Sequence, residues 1–260
     1  MKISFLFGVA ALIFMGGALL YSVRIKNTQK NNAVLVVGTA SGYAPFVSMN
    51  EQGQYEGFDI DVAQAVAQKM NKTLELKDLG SMPALFTALE QGMVDVLIWG
   101  ISITKPRLEK VSMVHYQGEV VDSRFLLFWQ TMPESITSIF DMQGKVVAVE
   151  PASSEDAILQ KYDFITPLPV DKIDDALLSI QYGKCDAAFV EPTIAKKFAN
   201  KYPEVKTLRV QLNQEDYVQG CGIVIKKDNT QLTQEIERVV AALKADGTIT
   251  ALEKKWGLAS

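Results

Sequence analysis

The chain has 260 residues, of which 48% are hydrophobic and 22% charged, a balance typical of a globular protein. Its formal net charge is −4 with acidic and basic residues interspersed, so neither a basic block for nucleic acid nor an acidic tail is present. Cys185 and Cys221 lie far apart and fit no metal-ligand spacing. We interpret them as two small, half-buried hydrophobic residues rather than as a disulfide.

The N-terminal segment differs from the rest of the chain. Lys2 is followed by an uncharged apolar run over residues 3–23 and by a polar stretch that ends at Asn32. A positive start followed by an apolar run is typical of an export signal, and about 20 apolar residues also suffice to span a bilayer as a helix. A cleaved signal peptide and a retained anchor both stay open for residues 1–32. In either case we expect the remaining chain to work in the periplasm.

From residue 33 onward, short apolar runs alternate with amphipathic segments. The first unit reads strand, helix, strand, helix, strand, over residues 34–37, 59–70, 74–76, 83–91 and 95–99. The first helix is indicated by Ile60, Ala63 and Ala67, which share one face. This order predicts an α/β unit with a parallel sheet covered by helices.

The pattern then restarts. Strands are predicted over residues 124–129, 145–149 and 186–190, and helices over 154–161, 171–182 and 193–200. The tail, with a strand over 222–225 and helices over 230–245 and 249–256, is too short to bury a core alone. We therefore predict a first lobe of residues 33–120 and 213–260, a second lobe of residues 121–212, and a two-segment hinge between them. Ligands bind in the cleft at the carboxyl ends of such strands.

Four ordered motifs carry a resemblance to a known family. They are VGTASGYAPF at residues 37–46, GFDIDVA at 57–63, GISITKPR at 100–107 and KADGTIT at 244–250. At this spacing they resemble the periplasmic amino-acid-binding proteins of ABC importers, solute-binding protein family 3, over residues 33–258. Residues 189–195 and 217–223 look most like the arginine-binding branch. The resemblance implies the two-lobed type II periplasmic-binding-protein fold, in which each lobe is a mostly parallel sheet with helices on both faces.

The resemblance also implies a function. Members of the family close two lobes around a free amino acid and deliver it to the permease of an ABC transporter. We therefore expect a periplasmic, monomeric protein with no cofactor, no metal, no catalytic residue and no nucleic-acid partner. Contact with the membrane would occur only through the N-terminal segment.

Two charged residues are the candidates to bind the charged groups of the amino acid. Burying an amino acid's carboxylate and ammonium requires a cation and an anion. Arg107, in the segment that resembles the carboxylate-binding loop, matches a carboxylate bidentately. Glu191, directly after a predicted strand, is the candidate for the ammonium, where the family usually has aspartate. Ser102 and the carbonyl of Gly100 would complete the ammonium shell.

A predicted helix start supplies further contacts. Ala152, Ser153 and Ser154 open the helix over residues 154–161, and unpaired N–H groups at a helix start attract a carboxylate. The family typically has Gly-Thr where this chain has Ala152-Ser153. A plain helix N-cap is the alternative interpretation, and the two are compatible.

The side-chain pocket departs from the family's pattern. Tyr43 resembles its aromatic wall, Met82 stands where Phe is usual, and Trp99 would supply a second aromatic face. An aromatic face of this kind attracts a guanidinium or ammonium group of the ligand. For Tyr43 and Trp99, a place in the hydrophobic core is an equal alternative.

Some residues favour a cationic ligand, and another residue argues against one. Glu155 and Glu150 flank the helix start and favour a cationic side chain, whereas some basic-ligand relatives have an aspartate where this chain has Ala40. On balance we predict arginine or another cationic or polar amino acid.

Two other classes of function remain as alternatives. The same fold can host a small dehydratase, in which Glu150 or Glu155 would be a general acid. The only histidine, His115, lies beyond the ligand loops without a Ser or Cys nucleophile partner, so we interpret it as structural. A sensor module is the third alternative.

Overall fold

The computed structural model describes residues 34–259. The predicted export signal or anchor, residues 1–32, lies outside them. No helix within residues 34–259 is long and apolar enough to cross a membrane.

A first group of elements precedes the second sheet in the chain. In order they are β1 (Val34–Thr39), β2 (Ser48–Met49), β3 (Tyr55–Glu56), α1 (Phe58–Lys69), β4 (Thr73–Asp78), α2 (Met82–Glu90), β5 (Val96–Leu97), α3 (Lys105–Lys110) and β6 (Val111–Val121).

The second group of elements forms the second sheet, and the chain then returns to the first sheet. This group comprises β7 (Ser123–Trp129), β8 (Val146–Val149), α4 (Ser154–Leu159), β9 (Thr166–Pro169), α5 (Ile173–Gln181), β10 (Ala187–Val190), α6 (Pro192–Lys201), β11 (Val205–Gln211), β12 (Val218–Lys226), α7 (Thr230–Ala245) and α8 (Thr248–Lys255).

The two five-stranded sheets are mixed. The first has the order β4-β1-β5-β12-β6, and the second has the order β11-β7-β10-β8-β9. Strand β1 pairs in parallel with β4 and β5, whereas β12 is antiparallel to both β5 and β6. Strand β8 pairs in parallel with β9 and β10, whereas β7 is antiparallel to β10 and β11. The predicted α/β fold is confirmed, but only two of the four strand pairings in each five-stranded sheet are parallel.

Alternation along the strands of the second sheet separates two cores. Leu126 and Phe128 face one core, and Leu127 between them faces the other. The second of these cores includes Ile173, Ala176 and Leu177 of α5. The second sheet is therefore buried on both faces, as expected for strands that read as continuous apolar runs.

The chain crosses between the sheets twice, at neighbouring positions. It passes from β6 to β7 at Asp122 and returns between β11 and β12, where Val218 pairs with Val121. Gly220 has φ of +72°, and a Cβ there would lie 2.4 Å from the carbonyl oxygen of Gln117, so the second crossing needs glycine. The lobe boundaries at residues 120/121 and 212/213 fall near these crossings and stay a prediction.

Candidate functional site

One cleft lies at the carboxyl ends of strands from both sheets, where open α/β sheets bind ligands. It encloses about 290 Å³ including its mouth. Eleven residues line it: Tyr43, Met82, Trp99, Gly100, Ser102, Arg107, Glu150, Ser153, Ser154, Glu155 and Glu191. Ten of them are the candidates named from the sequence, and Glu150 was considered there as a flanking acid. The structure thus brings the candidates together, and their binding of a ligand stays a prediction.

Ala152 is the candidate that does not line this cleft; it lies on a neighbouring crevice. Its carbonyl oxygen accepts a 2.9 Å hydrogen bond from Nη2 of Arg107. Its backbone is in the left-handed region, with φ of +59°. This position favours glycine, which the resembling family typically has there.

The guanidinium of Arg107, on α3, links the two sheets. Besides its bond to Ala152, Nη1 donates to the carbonyl oxygen of Ser102 at 2.8 Å, and the group lies 5.6 Å from the centre of the Phe86 ring. Burial lowers the pKa of Arg107, and the charges of Glu155 and Glu150 oppose that change. The arginine is therefore oriented before any ligand binds.

Glu191 follows β10 and stands at the N-cap of α6. Its Oε1 accepts a 2.8 Å hydrogen bond from the hydroxyl of Tyr43. Burial and then the charge of Glu155 raise the pKa of Glu191 to about 7, although Arg124 and the bond from Tyr43 lower it. Burial likewise raises the pKa of Tyr43 well above its ordinary value. Glu191 is thus a buried acid that gains from a nearby cation.

The start of α4 has the predicted N-cap. Ser153 occupies the cap, and its Oγ accepts from the backbone N–H of Asp156 at 3.0 Å. The backbone N–H of Ala152 donates to Oδ2 of Asp156 at 2.9 Å. The capping interpretation is therefore confirmed, and carboxylate binding at this helix start stays a prediction.

Sequence analysis missed a buried arginine behind the cleft. Arg124, on β7, is only 1% exposed, and its Nε forms an ion pair with Oε1 of Glu155 without the alignment of a hydrogen bond. Its other nitrogens donate to the carbonyl oxygen of Ser123 at 2.9 Å and to Oγ of Ser154 at 3.2 Å. One signal in the sequence could have revealed it: Arg124 is the first residue of a predicted apolar strand. A charged residue at such a position is rarely buried without a partner, so an acidic partner could have been expected.

This ion pair corrects one use of Glu155. Burial raises the pKa of Glu155, but attraction to Arg124 outweighs burial, and the pKa lies below its ordinary value. The carboxylate is ionised and already paired, so it is not the free negative charge that we expected for a cationic side chain.

Glu150, directly after β8, remains the predicted partner of a cationic side chain. Burial and then the charge of Glu155 raise the pKa of Glu150 to about 8, with Arg107 acting in the opposite direction. None of the ion pairs among residues 34–259 involves Glu150 or Glu191. The two acids are therefore the groups in the cleft that a ligand cation would stabilise most.

The apolar wall is part of the core of the first sheet. Trp99 is 4% exposed, and its ring lies 5.5 Å from that of Tyr43, which also stacks on Phe46. Met82, the first residue of α2, is buried beside them. Trp99 belongs to the core of the first sheet and also lines the cleft, and its contact with a ligand stays a prediction. Within the described part of the chain its Nε1 has no hydrogen-bond partner.

Asp59 fixes the loop that carries Gly100. Its carboxylate is buried and accepts from the backbone N–H of Gly100 at 2.5 Å and from the hydroxyl of Tyr116 at 2.6 Å. Burial raises the pKa of Asp59 to about 7 against these two bonds. Sequence analysis placed Asp59 only at a helix start and missed this contact, which depends on the loop after β5.

The remaining candidates for chemistry lie away from the cleft or are unreactive. His115 is exposed, its Nε2 lies 2.8 Å from the carbonyl oxygen of Gly118, and its Nδ1 lies 2.8 Å from Nζ of Lys244. Cys185 and Cys221 are free, as predicted, but they are buried rather than half-buried. Within residues 34–259, no group of three or more His, Cys, Asp or Glu residues is placed to hold a metal ion.

Comparisons with known sequences cover nearly all described residues. The family model described as bacterial extracellular solute-binding proteins, family 3, matches residues 35–259. The probable ABC transporter arginine-binding protein ArtJ of Chlamydia trachomatis is 32% identical over 228 residues, which are 88% of this chain and 87% of ArtJ. The putative ABC transporter arginine-binding protein 2 of Escherichia coli is 28% identical over 220 residues, which are 84% of this chain and 88% of that protein.

Solved structures share the fold. A mutant of ArgBP from T. maritima matches with a TM-score of 0.78 at 27% identity, over 88% of this chain and 97% of that one. An ancestral arginine-binding protein matches in its arginine-bound form, with a TM-score of 0.76 at 27% identity over 86% and 98% of the two chains. Its glutamine-bound form matches with a TM-score of 0.75 at 27% identity over 87% and 99%. The type II periplasmic-binding fold is therefore confirmed.

Proposed function

Because the chain belongs to the bacterial extracellular solute-binding proteins of family 3, we propose that it captures one free amino acid outside the cytoplasm, as a monomer, and delivers it to the permease of an ABC transporter. Membership of a family of binding proteins confirms the expectation that the protein is not an enzyme. The proposal is carried by one observation: Arg107 and Glu191, of opposite charge, face a single cleft between the sheets.

The ligand's carboxylate and ammonium have complementary partners. The fork of Arg107 would exchange its carbonyl contacts for the carboxylate, aided by backbone N–H groups at the start of α4. Glu191 would take the ammonium together with the hydroxyl of Ser102 and the carbonyl oxygen of Gly100. Because these partners come from both lobes, the ligand stabilises the closed arrangement over the open one.

The charges that line the cleft favour a cationic side chain. Two arginines, Arg107 and Arg124, face three acids, Glu150, Glu155 and Glu191. The carboxylate and ammonium of any amino acid cancel, so a neutral side chain would leave Glu150 without a counter-charge, and its carboxyl would keep its proton. A guanidinium or ammonium beside Glu150 would instead pair with the ionised carboxylate and gain that attraction. The aromatic faces of Tyr43 and Trp99 add roughly 0.5–2 kcal/mol for a cation.

We therefore propose L-arginine, or another cationic amino acid, as the ligand. The names of ArtJ and ArgBP point the same way, but the ancestral relative was solved with both arginine and glutamine. The choice of a cationic ligand therefore follows from the acids that line the cleft of this chain.

Calorimetric titration tests the proposal. The purified protein, freed of ligand by unfolding and refolding, is titrated with arginine, lysine, histidine and glutamine. We expect arginine to bind most tightly and to be recovered unchanged. Tight glutamine binding without arginine binding would exclude a cationic ligand, and binding of no amino acid would exclude the whole proposal.

Glu150→Gln tests the side-chain assignment separately. Loss of a charged partner should weaken arginine binding by roughly tenfold to a hundredfold and leave glutamine binding unchanged or improved. The matched control is Glu134→Gln at an exposed position. Equal losses of affinity for arginine and for glutamine would show that Glu150 supports the packing of the cleft and does not contact the ligand's side chain.

A further inference from the structure

Arg124 is a buried cation that the proposed ligand does not touch. Its side chain donates to Ser123 and Ser154 and pairs with Glu155, so its polar contacts lie at the start of α4 and in its own strand. A buried ion pair is weak evidence for stability, because desolvation offsets most of the attraction.

The position of Arg124 relative to Glu191 suggests a role beyond stability. Both residues line a second cavity, of about 450 Å³ including its open mouth, that lies at the hinge behind the cleft. Ser102 and Cys221 also line it. Arg124 therefore lies between two acids: Glu155, with which it pairs, and Glu191, which faces the same cavity.

We propose that Arg124 is a positioning residue for the ammonium half of the cleft: its buried charge favours the ionised form of both Glu155 and Glu191, so that Glu191 gives up its proton more readily when the ligand's ammonium arrives. The inference rests on the function proposed above. Two buried acids that share one wall repel each other, and one of them is protonated unless a cation lies nearby.

The surroundings of Glu191 contain few other groups that could do this. The charged and titratable groups that act on it or respond to it are Tyr43, Asp59, Glu150, Glu155, Arg124 and Cys221. Within this set Arg124 is the one cation. Arg107 also lines the cleft, but it is assigned to the ligand's carboxylate and points to Ser102 and Ala152.

The alternative is that Arg124 only supports the start of α4. The two roles differ in the sign of their effects. If Arg124 acts on Glu191, then Arg124→Met and Glu155→Gln change the pKa of Glu191 in opposite directions. If the pair is only structural, both substitutions weaken binding by a factor that does not depend on pH.

The experiment measures two quantities in the full-length protein: the titration of the Glu191 carboxyl carbon by NMR without ligand, and the affinity for arginine between pH 6 and pH 9. In Arg124→Met the midpoint of Glu191 should rise. For each unit of that rise, binding below the midpoint weakens about tenfold, and the loss disappears at high pH. In Glu155→Gln the midpoint should fall and binding at pH 6 should tighten. Arg124→Lys keeps the charge and should lie near the wild type.

The controls separate failure of this inference from other failures. Arg209→Met removes an exposed arginine and should change neither quantity. If Arg124→Met does not fold, Glu155→Gln and the double variant Arg124→Met/Glu155→Gln, in which the pair is replaced by neutral groups, carry the comparison. The double variant should return the Glu191 midpoint toward that of the wild type.

An unchanged Glu191 midpoint in Arg124→Met overturns the inference. If that variant does not fold, equal midpoints in Glu155→Gln and in the double variant overturn it, because these two proteins differ only in Arg124. A wild type that binds no amino acid overturns the proposed function instead, and the midpoints in the ligand-free protein still decide the role of Arg124.

Discussion

The hydroxyl of Tyr43, in the loop after β1, donates a 2.8 Å hydrogen bond to Oε1 of Glu191, at the end of β10. This bond joins the two lobes across the cleft, and the contact of Arg107 with Ala152 joins them a second time. The same side chains are the proposed partners of the ligand. Closure of the lobes and binding of the ligand therefore depend on the same side chains. Substituting these side chains one at a time separates the contribution of each to the two processes.

Tyr43→Phe should weaken ligand binding without unfolding the protein. The ring stays in place against Phe46 and Trp99, but Glu191 loses a hydrogen bond to a buried charge, worth roughly 1.5–3 kcal/mol, or about tenfold or more in affinity. Calorimetry measures the affinity and thermal unfolding measures the stability. Tyr182→Phe, at a position 71% exposed, is the matched control. An affinity equal to that of the wild type would show that the bond is unimportant for closure.

Arg107→Lys should weaken binding of every amino acid, whatever its side chain. An ammonium cannot reproduce the fork that contacts Ser102 and Ala152, nor bind a carboxylate bidentately. The expected loss is roughly 2–5 kcal/mol, or at least about thirtyfold in affinity. Arg209→Lys, which keeps an exposed pair with Asp122, should bind normally. If arginine binding were lost and glutamine binding were unaffected, Arg107 would contact the side chain of the ligand rather than its carboxylate.

Binding of a cationic amino acid should release protons and tighten as the pH rises. In the free protein the pKa values of Glu150 and Glu191 are raised to about 8 and about 7 by burial, so both carry protons near neutrality. Ligand cations lower these pKa values, and the protons must leave. Affinity should therefore increase from about pH 6 to about pH 9.

Titrations at one pH in buffers of different ionisation enthalpy count the protons released. In Glu150→Gln the release should be smaller. Proton uptake on binding, or a flat pH profile, would contradict the assignment of these two acids to the ligand's cations.

The ligand-free protein should lose stability as the pH rises toward 8. The pKa values of Asp59, Glu150 and Glu191 lie near 7 or 8 in the folded state but near 4 in an unfolded chain. Between these values the folded state holds more protons, so the free energy of unfolding falls with rising pH. Asp246, with its pKa lowered to about 2, acts in the opposite direction, but only below about pH 4.

Chemical denaturation at pH 5, 6, 7 and 8 measures this slope. Glu150→Gln should reduce it, and Glu134→Gln should not. Stability that rises with pH over this range would show that the three acids are ionised in the folded protein.

Sequence patterns predicted the regular helices well and some strands poorly. Helix α7 was predicted with its observed bounds, because its apolar positions repeat clearly and Asn229 caps its start. Strand β6 was missed because its second half is largely exposed, with Val120 63% accessible, so no alternation marks it. The strand predicted over residues 95–99 pairs only at Val96–Leu97.

The site could be predicted where its residues follow strands, and not where it depends on packing between elements. Arg107 and Glu191 reach one cleft because the carboxyl ends of neighbouring strands meet at one edge of a sheet. The pairing of Arg124 with Glu155 depends on which strand lies beside the start of α4. No spacing along the chain contains that information.

Strand β12 has a consequence for the order in which the molecule can be assembled. It lies between β5 and β6, so these two strands, although close in the chain, are joined only through a segment that begins at Val218. The first sheet therefore cannot form completely before the whole second sheet has left the ribosome. A truncation before Val218 removes the middle of a sheet rather than its edge: β6 loses its only neighbouring strand, and β5 keeps only β1.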